Sequence, residues 1–137
     1  MYGPAKRYTR AAKVYFADNG IIHGLGVRLS SGQMLENFVV AELEKRRKLG
    51  LLGCEQLFYY MSAGGREIDV LFERDDELVA VEIKSTTRPG PRDASNLRRF
   101  AGQMERPVRS FLFYPGREYL SLGDVQCIPV AAIMGGA

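Results

Sequence analysis

Two short stretches of the chain alternate with period two and place carboxylates where they can act together. Residues 67 to 73 read Glu-Ile-Asp-Val-Leu-Phe-Glu, and residues 78 to 84 read Leu-Val-Ala-Val-Glu-Ile-Lys. The charged run Arg74-Asp75-Asp76-Glu77 between them is a hairpin signal. A buried face has to collect Ile68, Val70 and Phe72 from one stretch and Val79, Val81 and Ile83 from the other. A turn centred on Asp75 and Asp76 makes paired residue numbers sum to 151, which matches Ile68 with Ile83, Val70 with Val81 and Phe72 with Val79. A slip of one residue would put Glu82 opposite Ile68. On the other face the same register sets Asp69 across from Glu82, and Glu67 across from Lys84.

Directly opposed side chains have Cβ atoms roughly 4.5–5.5 Å apart, and like charges at that distance are destabilising. A cation is therefore expected between Asp69 and Glu82. Lys84, two residues from Glu82 on the same face, is one candidate, and a divalent ion is another. Hard oxygen ligands favour Mg²⁺ or Mn²⁺ over zinc. The alternative is an ordinary solvent face on which Glu67, Glu82 and Lys84 form weak surface pairs.

The elements that position this hairpin follow from the rest of the pattern. Ser30-Ser31-Gly32-Gln33 has the S-x-x-Q form of a capping box and precedes apolar residues at Leu35, Phe38, Val39, Val40 and Leu43. This predicts a helix from Gly32 to Lys48, ended by the basic turn Lys45 to Lys48 and by Gly50. Leu57 to Met61 is aromatic and β-prone, and Ser62-Ala63-Gly64-Gly65 breaks it. Asp93 can cap a second helix whose Ala94, Leu97, Phe100, Ala101 and Met104 face the core, ending before Pro107. Val108 to Tyr114 is a further strand, and Val125 to Ile133 a terminal one that Pro129 assigns to an edge. Earlier in the chain, Val14 to Ala17 reads as a short extended segment ended by Asp18-Asn19-Gly20, in which Asp18 orders the turn. The element order is α-β-β-β-α-β.

Length and composition bound the functional classes. The 137 residues are 46% hydrophobic and 26% charged, the mixture of one globular domain with enough core to fold without a disulfide or structural metal. Residues 1 to 12 read as a flexible basic lead-in, and residues 13 to 137 as the domain. The formal charge of +3 is too small to name a partner. Cys54 and Cys127 stand apart and His23 is the single histidine, which excludes the usual zinc site. There is no GxxxxGK[ST] motif for nucleotide phosphates and no apolar run long enough to span a membrane, so a reduced cytoplasm is the expected location and no membrane partner is expected.

Arg66-Glu67-Ile68-Asp69-Val70, followed thirteen residues after Asp69 by Glu82-Ile83-Lys84, resembles the Asp…Glu-x-Lys motif of the PD-(D/E)xK nuclease-like superfamily. More narrowly, the chain resembles the C-terminal domain of unknown function found in many prokaryotic AAA-type ATPases. The matching blocks are Tyr15 to Gly20, Gly32 to Val39 with Leu43, Gly65 to Val70 and Val81 to Ser85, together with Ile128-Pro129-Val130. Ile68 stands where the superfamily has Pro before its Asp, a departure usual in the ATPase-linked group. The resemblance implies a restriction-endonuclease-like αβββαβ core in the α/β class, a mixed central sheet flanked by helices, in which a helix carboxylate joins the strand carboxylates. The matching position is Glu36.

From this resemblance come the functional expectations. Asp69, Glu82 and the backbone carbonyl of Ile83 would hold Mg²⁺ or Mn²⁺, with Glu36 completing the shell. Asp69, Glu82 and Lys84 would form the catalytic set of a metal-dependent phosphodiesterase. Arg66, Arg88, Arg92, Arg98 and Arg99 would neutralise phosphates of a nucleic acid, with DNA as the expected ligand. Gln103 is a candidate for the extra polar residue of some superfamily members, or a plain surface glutamine. The expected partner is an AAA-type ATPase domain or subunit. The alternative is a catalytically inactive nuclease-like module that docks an ATPase, a nucleic acid or another protein.

Overall fold

The computed structural model describes residues 8–9, 30–62 and 64–136. The extended segment read at 14 to 17, the turn at Asp18 and His23 lie outside the described residues. So does the lead-in, apart from Tyr8 and Thr9.

Ser31–Lys48 forms helix α1, one residue longer than the capping pattern predicts. Ser30 is its N-cap: the Ser30 Oγ accepts from the Gln33 N–H at 3.1 Å, and the Gln33 side chain accepts from the Ser30 N–H at 2.9 Å. This satisfies two backbone and side-chain partners reciprocally. At the other end Gly50 adopts φ 77° and donates to the Arg47 carbonyl, the left-handed stop that the basic last turn announces. Strands follow at Phe58–Met61 (β2), Glu67–Arg74 (β3) and Glu77–Ile83 (β4), with Tyr8–Thr9 (β1) preceding α1. A 3₁₀ turn over Pro91–Ala94 leads into helix α2, Ser95–Gln103. The chain closes with β5 (Val108–Tyr114), β6 (Leu120–Leu122), β7 (Val125–Pro129) and a 3₁₀ segment over Val130–Gly136.

The seven strands form one mixed sheet in the order β1-β2-β3-β4-β5-β7-β6. The first four pair antiparallel, β4-β5 and β5-β7 pair parallel, and β6 returns antiparallel onto β7. The α2 crossover between β4 and β5 makes the first parallel connection. This is an α/β architecture with helices on both faces. On one face Val39, Val40 and Leu43 of α1 pack against Val70, Phe72, Val79, Val81 and Phe113. On the other, Leu97 and Phe100 of α2 cover Ile68, Leu71, Leu78, Ala80, Leu112 and Cys127. Both faces are consequently buried, which a strict inside-outside alternation of the hairpin does not anticipate.

Three details depart from the sequence expectations. Asp93 caps the 3₁₀ turn, its Oδ2 accepting from the Gly90 N–H at 2.8 Å, and α2 begins two residues later. Strand β7 ends at Pro129 and is flanked by β5 and β6, so it is not an edge. The proline is tolerated because the β6 rungs run only from Val125 to Cys127 and leave Pro129 beyond them. Tyr8 and Thr9, within the segment read as a lead-in, pair with Tyr60 and Tyr59.

Candidate functional site

The β3–β4 ladder holds the register in which paired numbers sum to 151, through Arg74↔Glu77, Phe72↔Val79 and Val70↔Val81. Asp75 makes the turn with φ 56°, a conformation aspartate tolerates. Arg106 fastens this turn from outside, donating to the Glu73 carboxylate at 2.7 Å and to the carbonyls of Asp76 and Glu77 at 3.2 Å each.

Beyond Val70 the rungs stop, and the neighbouring strand shows why. Between the pairs Phe58↔Leu71 and Tyr60↔Ile68, β2 advances two residues while β3 advances three. The extra residue is a β-bulge at Asp69 and Val70. It rotates Ile68 onto the α2 face, into the same cluster as Leu71, instead of the α1 face that period two assigns it. Ile68↔Ile83, Asp69↔Glu82 and Glu67↔Lys84 are therefore not rungs of the ladder. In place of a rung, Asp69 Oδ2 accepts a hydrogen bond from the Ile83 N–H at 2.8 Å. The bulge thus turns Asp69 into a bracket that ties its carboxylate to the strand carrying Glu82.

Glu82 lies two residues beyond Ala80 and four beyond Leu78, on the face covered by α2. It is 3% exposed, which excludes the ordinary solvent face. The Asn96 side chain of α2 lies near the carboxyl group and favours its charged form, and the buried Glu82 Oε2 accepts no hydrogen bond. Lys84 Nζ stands 3.8 Å from that oxygen. Burial raises the carboxyl pKa from 4.5 to about 7; Lys84 lowers it, the Asp69 charge raises it, and Asn96 and Glu67 contribute less, in opposite senses. Glu67 is held by the Tyr59 hydroxyl, which donates to its carboxylate.

The remaining sequence candidates divide. Glu36 is half-buried on α1, one turn beyond Gly32. A Cβ on Gly32 would lie 4.0 Å from Ser85 Oγ, so the first turn of α1 approaches the segment just after Lys84. Among the described residues no three His, Cys, Asp or Glu side chains converge as a metal-ligand group, so Glu36 is not gathered with Asp69 and Glu82 into one set. The donor chemistry that is present is the two carboxylates of Asp69 and Glu82, one with a buried oxygen lacking a donor. That suits Mg²⁺, which keeps several waters and needs only one or two carboxylates.

Arg66 and Arg99 line one cleft beside the site together with Asn96 and Gln103. Arg98 points elsewhere, donating to the Leu122 carbonyl at 2.7 Å and to the Pro91 carbonyl at 3.5 Å. Arg88 is exposed on the loop after β4, and Arg92 is exposed on the 3₁₀ turn before α2. Asn96, near Glu82, and Tyr59, bonded to Glu67, are not singled out by the sequence motifs. The signal that finds Asn96 is its i, i+3, i+7 spacing with Arg99 and Gln103, a polar stripe beside the buried Leu97 and Phe100.

Comparison with known proteins adds a family. The family described as Domain of unknown function (DUF4143) matches residues 31–133. An uncharacterized protein of Mycobacterium bovis and an uncharacterized protein of Mycobacterium tuberculosis are each 29% identical over 139 aligned residues, 94% of this chain and 30% of the relative. The chain thus spans about a third of the length of the curated relatives it matches. No solved structure matches it. Among the described residues no helix is long and apolar enough to cross a membrane.

Proposed function

The chain belongs to the DUF4143 family, and from that premise and its carboxylate pair we propose that it is a nuclease-like domain of the PD-(D/E)xK kind, hydrolysing phosphodiester bonds of nucleic acid with Mg²⁺ or Mn²⁺. The observation that carries the reading is the buried Glu82 Oε2, an acceptor with no donor, beside Asp69 and 3.8 Å from Lys84. An unsatisfied carboxylate oxygen in the interior costs roughly 1–3 kcal/mol or more, and a cation that fills the position offsets that cost. In this reading the α1-βββ-α2-β5 run is a restriction-endonuclease-like core, and DNA is the ligand.

Asp69, Glu82 and the Ile83 carbonyl would hold the ion, and Glu36 would act from further out. When bound, the ion supplies Lewis-acid polarisation of a phosphoryl oxygen and lowers the pKa of a water. The protein's own residues do the rest. The Ile83 N–H fixes the rotamer of Asp69, and Asn96 near Glu82 favours its charged form. Lys84 holds an ammonium where charge develops on the phosphate. Burial excludes water from Glu82 and strengthens each of these interactions. An AAA-type ATPase partner belongs to the same reading, and the greater length of the mycobacterial relatives leaves room for one in the same polypeptide.

A second reading, a non-catalytic module on the same scaffold, is favoured by the lack of a three-carboxylate group among the described residues. Incubation with linear, nicked and branched DNA and Mg²⁺ or Mn²⁺ separates the two. The phosphodiesterase reading expects cutting that Asp69→Asn, Glu82→Gln and Lys84→Ala each abolish. Cutting that survives all three, or no cutting by the wild type on any substrate, contradicts it.

A further inference from the structure

Ser62, Arg66 and Glu67 beside the start of β3 and Asn96, Arg99 and Gln103 on the polar stripe of α2 line a small open cleft of about 20 Å³. Both arginines are expected phosphate contacts from the sequence, which does not bring them together: they are 33 residues apart and meet only when α2 packs on the sheet. We infer that this cleft is a phosphate subsite that seats one phosphate of a nucleic-acid strand between Arg66 and Arg99, next to the Asp69–Glu82 pair.

Among the described residues the cleft's arginines share an unpaired guanidinium with Arg88, Arg92 and Arg117 and differ from four others. Arg47, Arg98, Arg106 and Arg109 are each engaged with a carboxylate or a carbonyl. The Arg66 and Arg99 guanidiniums, both exposed, show no hydrogen bond or ion pair among the described residues. Two planar guanidinium forks thus line one opening, and such a fork can match phosphate oxygens bidentately. Glu67 is the opposing charge, and its carboxylate is already bonded to the Tyr59 hydroxyl. Two cations against that one anion leave the cleft net positive. The cleft has only about 20 Å³ of space open to a water-sized centre, little more than one water needs, so a phosphate would sit at its mouth between the two arginines, and a base with its sugar would stay outside.

Asn96 connects this cleft to the carboxylates. It lines the opening and stands near Glu82, so a phosphate seated here lies one side chain away from the Glu82 carboxyl group. The subsite would hold a neighbouring phosphate of the same strand while the scissile one meets Asp69, Glu82 and Lys84. The assignment of that phosphate to a strand rests on the phosphodiesterase reading; the anion chemistry of the cleft does not.

The test is metal-free. With EDTA present, fluorescence anisotropy measures binding of a short labelled DNA duplex to the wild type and to Arg66→Ala, Arg99→Ala, Arg99→Lys and, as a control on the far edge of the sheet, Arg117→Ala. A parallel arm titrates inorganic phosphate by thermal shift. Each alanine variant is expected to weaken DNA binding about 10-fold and to reduce the slope of log K against log salt by about 1. Arg99→Lys should keep the slope and lose part of the affinity, and Arg117→Ala should match the wild type. Thermal melting of the same variants near the wild-type value shows that these exposed substitutions leave the fold intact. Stabilisation by inorganic phosphate but not by DNA would identify a free-phosphate site and overturn the strand assignment. Alanine variants that bind with wild-type affinity and slope, or a wild type that binds neither probe, overturn the subsite. Binding that depends on Arg66 and Arg99 without any metal-dependent cutting leaves the subsite standing and removes the phosphodiesterase. Cutting that depends on Asp69 and Glu82 while the arginine variants bind normally does the reverse.

Discussion

Asp69 Oδ2 accepts the backbone N–H of Ile83 at 2.8 Å, beyond the last β3–β4 rung and at the bulge that β3 carries against β2. The carboxylate therefore has two opposing effects on stability. It satisfies a backbone donor, and its charge raises the cost of ionising Glu82.

Substitution separates the two effects. Asp69→Ala removes the acceptor and leaves the Ile83 N–H without it, a loss of about 1–3 kcal/mol that outweighs the relief of repulsion. Asp69→Asn keeps an acceptor oxygen and removes the charge. The asparagine variant should be more stable than the alanine variant by about 1–2 kcal/mol in urea denaturation at pH 8. Equal stabilities would show that the bracket has no energetic role.

The pH dependence of stability follows from Glu82. Its carboxyl has a pKa of about 7 in the fold against 4.5 when unperturbed. Below about 4.5 it is neutral in both folded and unfolded chains and contributes nothing. As pH rises from 4.5 to 7 the unfolded chain releases the proton first, so stability falls across that window and stays low above it. The full effect is at most about 3 kcal/mol. Glu82→Gln removes the ionisation and should be more stable than the wild type by about 1–3 kcal/mol at pH 8, with the difference vanishing near pH 4.5. A constant difference across this range would contradict the buried-acid assignment.

Arg106 clamps the β3–β4 turn through Glu73 and the carbonyls of Asp76 and Glu77. Arg106→Ala should cost about 1–2 kcal/mol, and Arg106→Lys should recover only part of it, since an ammonium cannot reproduce the fork. Hydrogen exchange at the amides of residues 73 to 78 would report the loosening directly.

Ser30→Ala removes the side-chain half of the capping box on α1. The expected loss is about 1 kcal/mol, measured by thermal melting, with Ser30→Asp close to the wild type.

Much of this framework is legible in residues whose effects are local. The capping box, the glycine stop at Gly50 and the Val70–Val81 and Phe72–Val79 pairs follow from short-range pattern and turn chemistry. The failures are where long-range packing decides. Period two assigns Ile68 to the α1 face, but the bulge opposite Tyr59 rotates it to the α2 face, and no local residue announces that. Strand β6 is three residues long and exists through its pairing with β7. The α2 stripe of Asn96, Arg99 and Gln103 is written in the sequence, but its meaning depends on which sheet residue lies beneath it. Asp69, Glu82 and Lys84 are brought together at one end of the hairpin, and Glu36 is not gathered with them.

Calorimetric titration of the chain with Mn²⁺ at pH 6.5, in two buffers of different ionisation enthalpy, tests the Asp69–Glu82 pair most directly. At that pH Glu82 is largely protonated, so metal binding must displace its proton. One saturable site per chain is predicted, with a heat that changes between buffers by a fractional proton release, lost in Glu82→Gln. No saturable heat at millimolar Mn²⁺, or a site that Glu82→Gln leaves unchanged, would contradict the metal-binding carboxylate pair.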